Sequence, residues 1–198
     1  MKIIATTLLA LFLGAAVSAQ DLPTKSLTPG TWELGVFGGG GTGLGKSDDT
    51  QFFLAGGRIG LVLTKEFLPG WARGNFEYAV DLMPIYTVFP PNSAVYAGSF
   101  KPIILQWNFT RGKTIAPYFQ AEGGILFSTH NIPPGDTSYV NFTPGVGFGV
   151  HIFTRESRAL QLEGSVIHIS SASLGTHNPG YNGSFFFTIG YSWYKTKK

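Results

Sequence analysis

Between Phe185 and Trp193 the chain alternates in a way that leaves few folds open. Phe185, Phe187, Ile189, Tyr191 and Trp193 fall on one side, and Ser184, Thr188, Gly190 and Ser192 on the other. A period of two is the geometry of a pleated strand, whose successive side chains leave opposite faces. Earlier, Ile115, Phe119, Ala121, Ile125 and Phe127 oppose Tyr118, Gln120, Glu122 and Ser128, and Phe76, Tyr78, Val80 and Leu82 oppose Arg73, Asn75, Glu77 and Asp81. Eight such runs can be marked, at roughly 31–39, 51–64, 71–86, 95–109, 115–129, 138–152, 158–171 and 183–194. Gly, Pro, Asn and Asp punctuate them, and no long amphipathic helix interrupts them, which is an all-β signature.

The connections alternate in length. Lys65–Gly70, Thr110–Lys113 and Thr154–Ser157 are short, whereas Gly40–Thr50, Thr87–Ala94, His130–Thr137 and Ala172–Asn182 are longer and rich in Gly, Pro and Ser. Short turns at one end, long loops at the other and an even strand count predict an eight-stranded antiparallel up-and-down transmembrane β-barrel. Nearly every run is also long enough for a tilted strand of about 9–11 residues to cross the hydrocarbon layer. The charged residues within the runs, Arg58, Arg73, Glu77, Asp81, Glu122 and Glu163, share the face opposite the aromatics. Pointed inward, they could pair in an interior just wide enough for side chains to fill. Trp32, Trp71, Tyr86, Trp107, Tyr139 and Trp193 near the strand ends are then expected to form interfacial girdles. A lipocalin-like soluble barrel is the rival; it would have to place those charges outside and the aromatics within.

Export fits this fold. Lys2, the apolar stretch Ile3 to Ala16 and the small residues Val17-Ser18-Ala19 read as a signal peptide over residues 1–19, leaving residues 20–198 as one barrel domain. Without Lys2 the remaining 13 Lys and Arg face 11 acidic residues, too small a bias to argue for nucleic acid. No cysteine is present, so disulfides and thiolate metal sites are excluded.

Two motifs invite a functional reading. Gly40 to Ser47 matches the phosphate-binding pattern G-x-x-x-x-G-K-[ST], but a strand follows where that motif needs a helix, so a flexible glycine-rich surface loop is expected. The four histidines show no metal spacing. His130 and His177 fall in loops, and His151 falls on the inward parity of the sixth run. His168 differs, because with Ser170 it continues the Leu160, Leu162 and Val166 face that a membrane barrel turns towards lipid. Residues i and i+2 of a strand share a face, as a serine nucleophile and its histidine base must. The plain alternative is an interfacial polar pair at a strand end, where polarity costs little.

His168-x-Ser170, the turn Asn178-Pro179-Gly180 and the aromatic strand ending Tyr191-Ser192-Trp193-Tyr194 resemble the lipid A 3-O-deacylase (PagL) family. Its members are eight-stranded outer-membrane barrels with a Ser-His-Glu triad on the outer face. The resemblance implies a bacterial outer-membrane hydrolase that releases an ester-linked acyl chain from lipid A, with no metal or cofactor. Ser170 would be the nucleophile and His168 the general base. Asn182, which stands where the family has its glutamate, would orient the imidazole. Ser171, where the family usually has asparagine, would serve the oxyanion together with backbone amides, and Asn178 and Gly180 would support the loop. His168, Ser170 and Asn178 carry over directly. The implied partner is lipid A or lipopolysaccharide of the outer leaflet, with no nucleic acid, and a homodimer is left open. A second reading is a non-catalytic barrel of the same fold, structural or lipid-binding, that has lost the triad acid. Asn182 favours that reading, and the retained His-x-Ser favours the enzyme.

Overall fold

The structure is a computed structural model that describes residues 26–45, 47–132, 137–172, 174 and 182–196. The expected signal peptide lies outside the described residues. Among the described residues nine strands are present: β1 (Thr31–Gly45), β2 (Gln51–Val62), β3 (Gly74–Phe89), β4 (Val95–Phe109), β5 (Ile115–Ser128), β6 (Val140–Phe142), β7 (Gly145–Arg155), β8 (Arg158–His168) and β9 (Asn182–Thr196). Each pairs antiparallel with its neighbours, and β1 runs the length of β9, from Thr31 opposite Thr196 to Gly45 opposite Asn182. The sheet therefore closes. β6 and β7 both pair with β5 and form a single stave, broken at Thr143-Pro144 where proline has no N–H for the ladder. The result is a closed eight-stranded transmembrane barrel, with no sheet edge exposed.

The two faces separate as the alternation requires. Leu34, Val36, Ile59, Leu82, Ile103 and Phe148 stand exposed on the outside, in a band that hydrocarbon satisfies and water does not. The interior is stacked in three layers. At the short-turn end Val62, Ala116, Phe153, Ala159 and Tyr194 pack around Leu27, whose carbonyl accepts a hydrogen bond from the Asn75 amide at 2.6 Å. A polar layer fills the middle. There Arg58 grips both carboxylate oxygens of Asp81 at 2.8 and 3.0 Å and lies 3.7 Å from Glu163, while Lys101 meets Glu122 at 2.7 Å. His151 sits among these groups, 3.1 Å from Gln106 and 3.2 Å from the Tyr194 hydroxyl, and so has a structural role. At the long-loop end Phe52, Leu54, Met83, Leu126, Ile167, Ile169 and Phe186 close the interior with an apolar layer. A polar middle inside an apolar exterior rules out the lipocalin-like arrangement.

Three expectations need correction. Arg73 is not an interior charge: a 3₁₀ turn at Gly70–Ala72 ends the alternation before β3 begins, and Arg73 pairs with Glu66 at the exposed rim. Tyr86 is not a girdle residue. The β3–β4 register shifts between Met83 and Tyr86, so both side chains turn inward, with Pro84 and Ile85 outward between them. The glycine-rich residues 40–45 are not a loop but the end of β1, paired with β9 throughout and with β2 as far as Thr42. The remaining girdle residues, Trp32, Trp71, Trp107, Tyr139 and Trp193, all lie on the outside.

One glycine shows how the polar layer is fitted. Tyr118 lies across from Gly149 on β7, and a Cβ at Gly149 would fall 2.1 Å from the ring carbon that bears the hydroxyl. That hydroxyl donates to Glu163 at 2.8 Å and accepts from the Gln161 amide at 2.6 Å. Gly149→Val should therefore displace the ring, break both bonds and destabilise the barrel by about 1–3 kcal/mol. A lower urea midpoint for the refolded variant would report this; an unchanged midpoint would show that the ring can move without loss.

Candidate active site

β8 carries the site because its parity continues unbroken past its formal end. Ile167 and Ile169 are buried, pointing into the apolar layer, whereas Val166 is exposed and His168 and Ser170 are half-buried on the outer face. Both neighbouring strands hold this segment extended. On the β7 side the His168 amide donates to the Pro144 carbonyl at 2.8 Å, and Ser170 exchanges hydrogen bonds with Phe142 at 2.7 and 3.0 Å. On the β9 side the Ile169 amide donates to the Asn182 carbonyl at 2.9 Å, and His168 lies opposite Gly183. The backbone is thus clamped from both sides and backed by a packed core, which preorganises side chains i and i+2 on one surface.

Apolar side chains surround the pair. Pro144, Gly145, Val146, Val166 and His168 line a shallow open groove between β7 and β8, and Phe142 stands beside Ser170 on the outer face. Beyond Ser170 the chain bends sharply. Ala172 takes a left-handed φ of 47°, and its amide donates to the Ser170 hydroxyl oxygen at 3.2 Å, while the Leu174 amide donates to the Ser171 carbonyl at 2.9 Å. A backbone donor is therefore aimed at the hydroxyl oxygen of Ser170.

The other expected site residues are placed differently. Ser171 is fully buried, so its hydroxyl is not on the surface that carries Ser170. Asn182 also turns inward. In β9 the even-numbered residues from Asn182 to Phe186 are buried, and the Asn182 side chain accepts a hydrogen bond from the Ser47 hydroxyl at 2.8 Å and reaches the Ile132 carbonyl at 3.5 Å. Its amide and the His168 imidazole leave opposite faces of the barrel wall. Asn178 and Gly180 lie outside the described residues. Among the described residues no group of three or more His, Cys, Asp and Glu side chains could hold a metal ion.

Sequence reasoning missed Ser47 and Pro144. Ser47 was hidden in a glycine-rich match to another motif. Pro144 had a visible signal, since a proline inside a strand run marks a break in pairing. Asn182→Glu tests the inward placement. A carboxylate there would be buried against the Ile132 carbonyl rather than offered to His168, so this variant should be less stable by about 2 kcal/mol and no faster at ester cleavage. A gain in hydrolysis would mean that residue 182 reaches the outer face.

The comparisons with known proteins agree with this architecture. The family model for lipid A 3-O-deacylase (PagL) matches residues 70–192. No curated protein matches the sequence. Among solved structures, the outer membrane enzyme PagL is similar with a TM-score of 0.53 and 18% identity, covering 80% of this chain and 98% of that one. The N-terminal β-barrel domain of Pseudomonas aeruginosa OprF gives a TM-score of 0.55 at 16% identity, covering 84% and 98%. Neisserial surface protein A gives 0.55 at 14%, covering 83% and 96%. At these identities the structural likenesses speak for the fold alone.

Proposed function

Because the chain belongs to the lipid A 3-O-deacylase (PagL) family, we propose that it is an outer-membrane esterase that removes an ester-linked acyl chain, at the 3-O position, from lipid A. One observation carries this reading. His168 and Ser170 share the outward register of β8, at the edge of the apolar groove lined by Pro144, Val146 and Val166. A soluble hydrolase would bury such a pair in a cleft. Here an acyl chain can lie along the groove with its ester carbonyl at the membrane boundary, without leaving the leaflet.

The chemistry follows from these side chains. The Ser170 hydroxyl attacks the ester carbonyl as His168 takes its proton, and a tetrahedral oxyanion forms. The Ala172 amide donates to the Ser170 hydroxyl oxygen and so holds the nucleophile in position as its proton leaves. The intermediate collapses as His168 returns the proton to the departing sugar hydroxyl. Water then releases the fatty acid from Ser170 by the same sequence in reverse. Asn182 acts here as a positioning residue: its carbonyl holds the Ile169 amide between base and nucleophile, and Ser47 holds its side chain.

The inward Asn182 amide also favours the second reading, a barrel of this fold that binds lipid without cleaving it. One assay separates the two: purified protein in mixed micelles with lipid A, read by release of free hydroxy fatty acid. Release that is lost in Ser170→Ala supports the enzyme. Lipid A retained intact by folded wild-type protein supports the binder.

A further inference from the structure

The barrel is electrically polarised along its axis. Arg58 and Lys101 are interior and paired. Every other Lys or Arg among the described residues lies at the short-turn end. Arg73 is bonded there to Glu66. Lys65, Arg111, Lys113, Arg155, Arg158 and Lys195 complete the group, and none of them is buried. They come from all three short turns and from the end of β9, so they form a collar around the barrel rather than a patch on one side. Glu156, in the third short turn, is with Glu66 an exposed acid at this end, so the collar stays net positive, whereas the exposed charged side chains described at the long-loop end are the acids Asp48 and Asp49.

The tryptophans mark the same level. Trp32 begins β1, Trp71 sits in the β2–β3 turn, Trp107 is near the end of β4 and Trp193 near the end of β9, all half-buried or exposed on the outer surface. Indole rings settle where hydrocarbon meets headgroups. The cations just beyond them therefore lie at the depth of the phosphates of the leaflet on that side. Short turns belong on the periplasmic side of such barrels.

We propose that this end of the barrel is a binding collar for anionic phospholipid, which it recruits from the inner, periplasmic leaflet of the outer membrane. Lys and Arg near a membrane surface attract anionic lipid, and the effect is screened by salt. Because the cations ring the whole circumference, they would gather an annulus of acidic headgroups rather than fill one pocket. The membrane boundary marked by the tryptophans favours lipid over a soluble polyanion.

The tryptophans supply the probe. The mature chain would be refolded into phosphatidylcholine vesicles containing a fixed minor fraction of phosphatidylglycerol, with bromine on the acyl chains of one lipid class at a time. Both leaflets have the same composition, so the direction of insertion does not matter. Brominated phosphatidylglycerol should quench the tryptophans as if its local concentration were raised about threefold to tenfold over bulk. That preference should fall to about one in 0.5 M salt, and in the variant Arg111→Gln/Lys113→Gln/Arg155→Gln/Lys195→Gln. Equal quenching by the two brominated lipids at low salt would overturn the proposal, and so would a preference that survives both salt and the substitutions. If the variant fails to insert, the wild-type ratio and its salt dependence still decide.

Discussion

Ser170→Ala is expected to lower ester cleavage at least about 10³-fold while leaving the barrel folded. The two parts are separable because the side chain is outside the core. Ser170 is half-buried on the outer face, and its backbone bonds to Phe142 do not depend on the hydroxyl. The only side-chain bond it makes that is described is the one accepted from the Ala172 amide. Losing that bond exposes one N–H near the membrane boundary and should cost no more than about 1 kcal/mol. Heat-modifiable gel mobility should thus match wild type while the rate collapses. His168→Ala should fall similarly, and the double variant should fall little further, since a nucleophile and its base act as one unit. Additive losses would mean the two residues work independently.

Arg58→Met should have the largest effect on folding, a loss of about 3–5 kcal/mol. Arg58 binds both oxygens of Asp81, contacts Glu163 and donates to the Gln106 side chain at 3.3 Å, all inside the closed barrel. Methionine fills much of the same volume but leaves two buried carboxylates facing each other without their cation. Adding Asp81→Asn and Glu163→Gln to Arg58→Met should recover much of the loss, because removing a whole buried charge cluster costs far less than removing one partner. Urea unfolding of the refolded proteins in lipid vesicles measures both. A single variant as stable as wild type would show that lysines or water satisfy the acids instead.

The strand pattern was legible because period-two alternation, turn residues and alternating loop lengths are local features. Parity alone placed Glu77, Asp81, Glu122 and Glu163 inside and His168 and Ser170 outside. Legibility ended where the pleat was interrupted. Tyr86 lies beyond a bulge and Arg73 beyond a 3₁₀ turn, and both events reverse or stop the count of faces. The glycine-rich residues 40–45 looked like a loop because a strand of bare backbone has no alternation to read. Across from Gly39 and Gly41, the backbone oxygens of Phe187 and Phe185 come within 2.1 and 2.5 Å of where a Cβ would be. The glycines are there for that close approach of β1 to β9. The candidate site divides in the same way. The base and nucleophile could be found from spacing, whereas the third member depended on which wall face residue 182 occupies. In β9 that residue shares the inward parity of Ser184 and Phe186, with its side chain bound to a serine 135 positions away in sequence.

The most direct test uses mass spectrometry of lipid A from outer membranes in which the wild-type chain or Ser170→Ala has been folded. The wild type should yield lipid A lighter by one ester-linked hydroxyacyl chain, with the amide-linked chains retained, and Ser170→Ala should yield the parent mass. Lipid A left at its parent mass by folded wild-type barrel would contradict the deacylase reading, and the same acyl loss with Ser170→Ala would contradict the nucleophile.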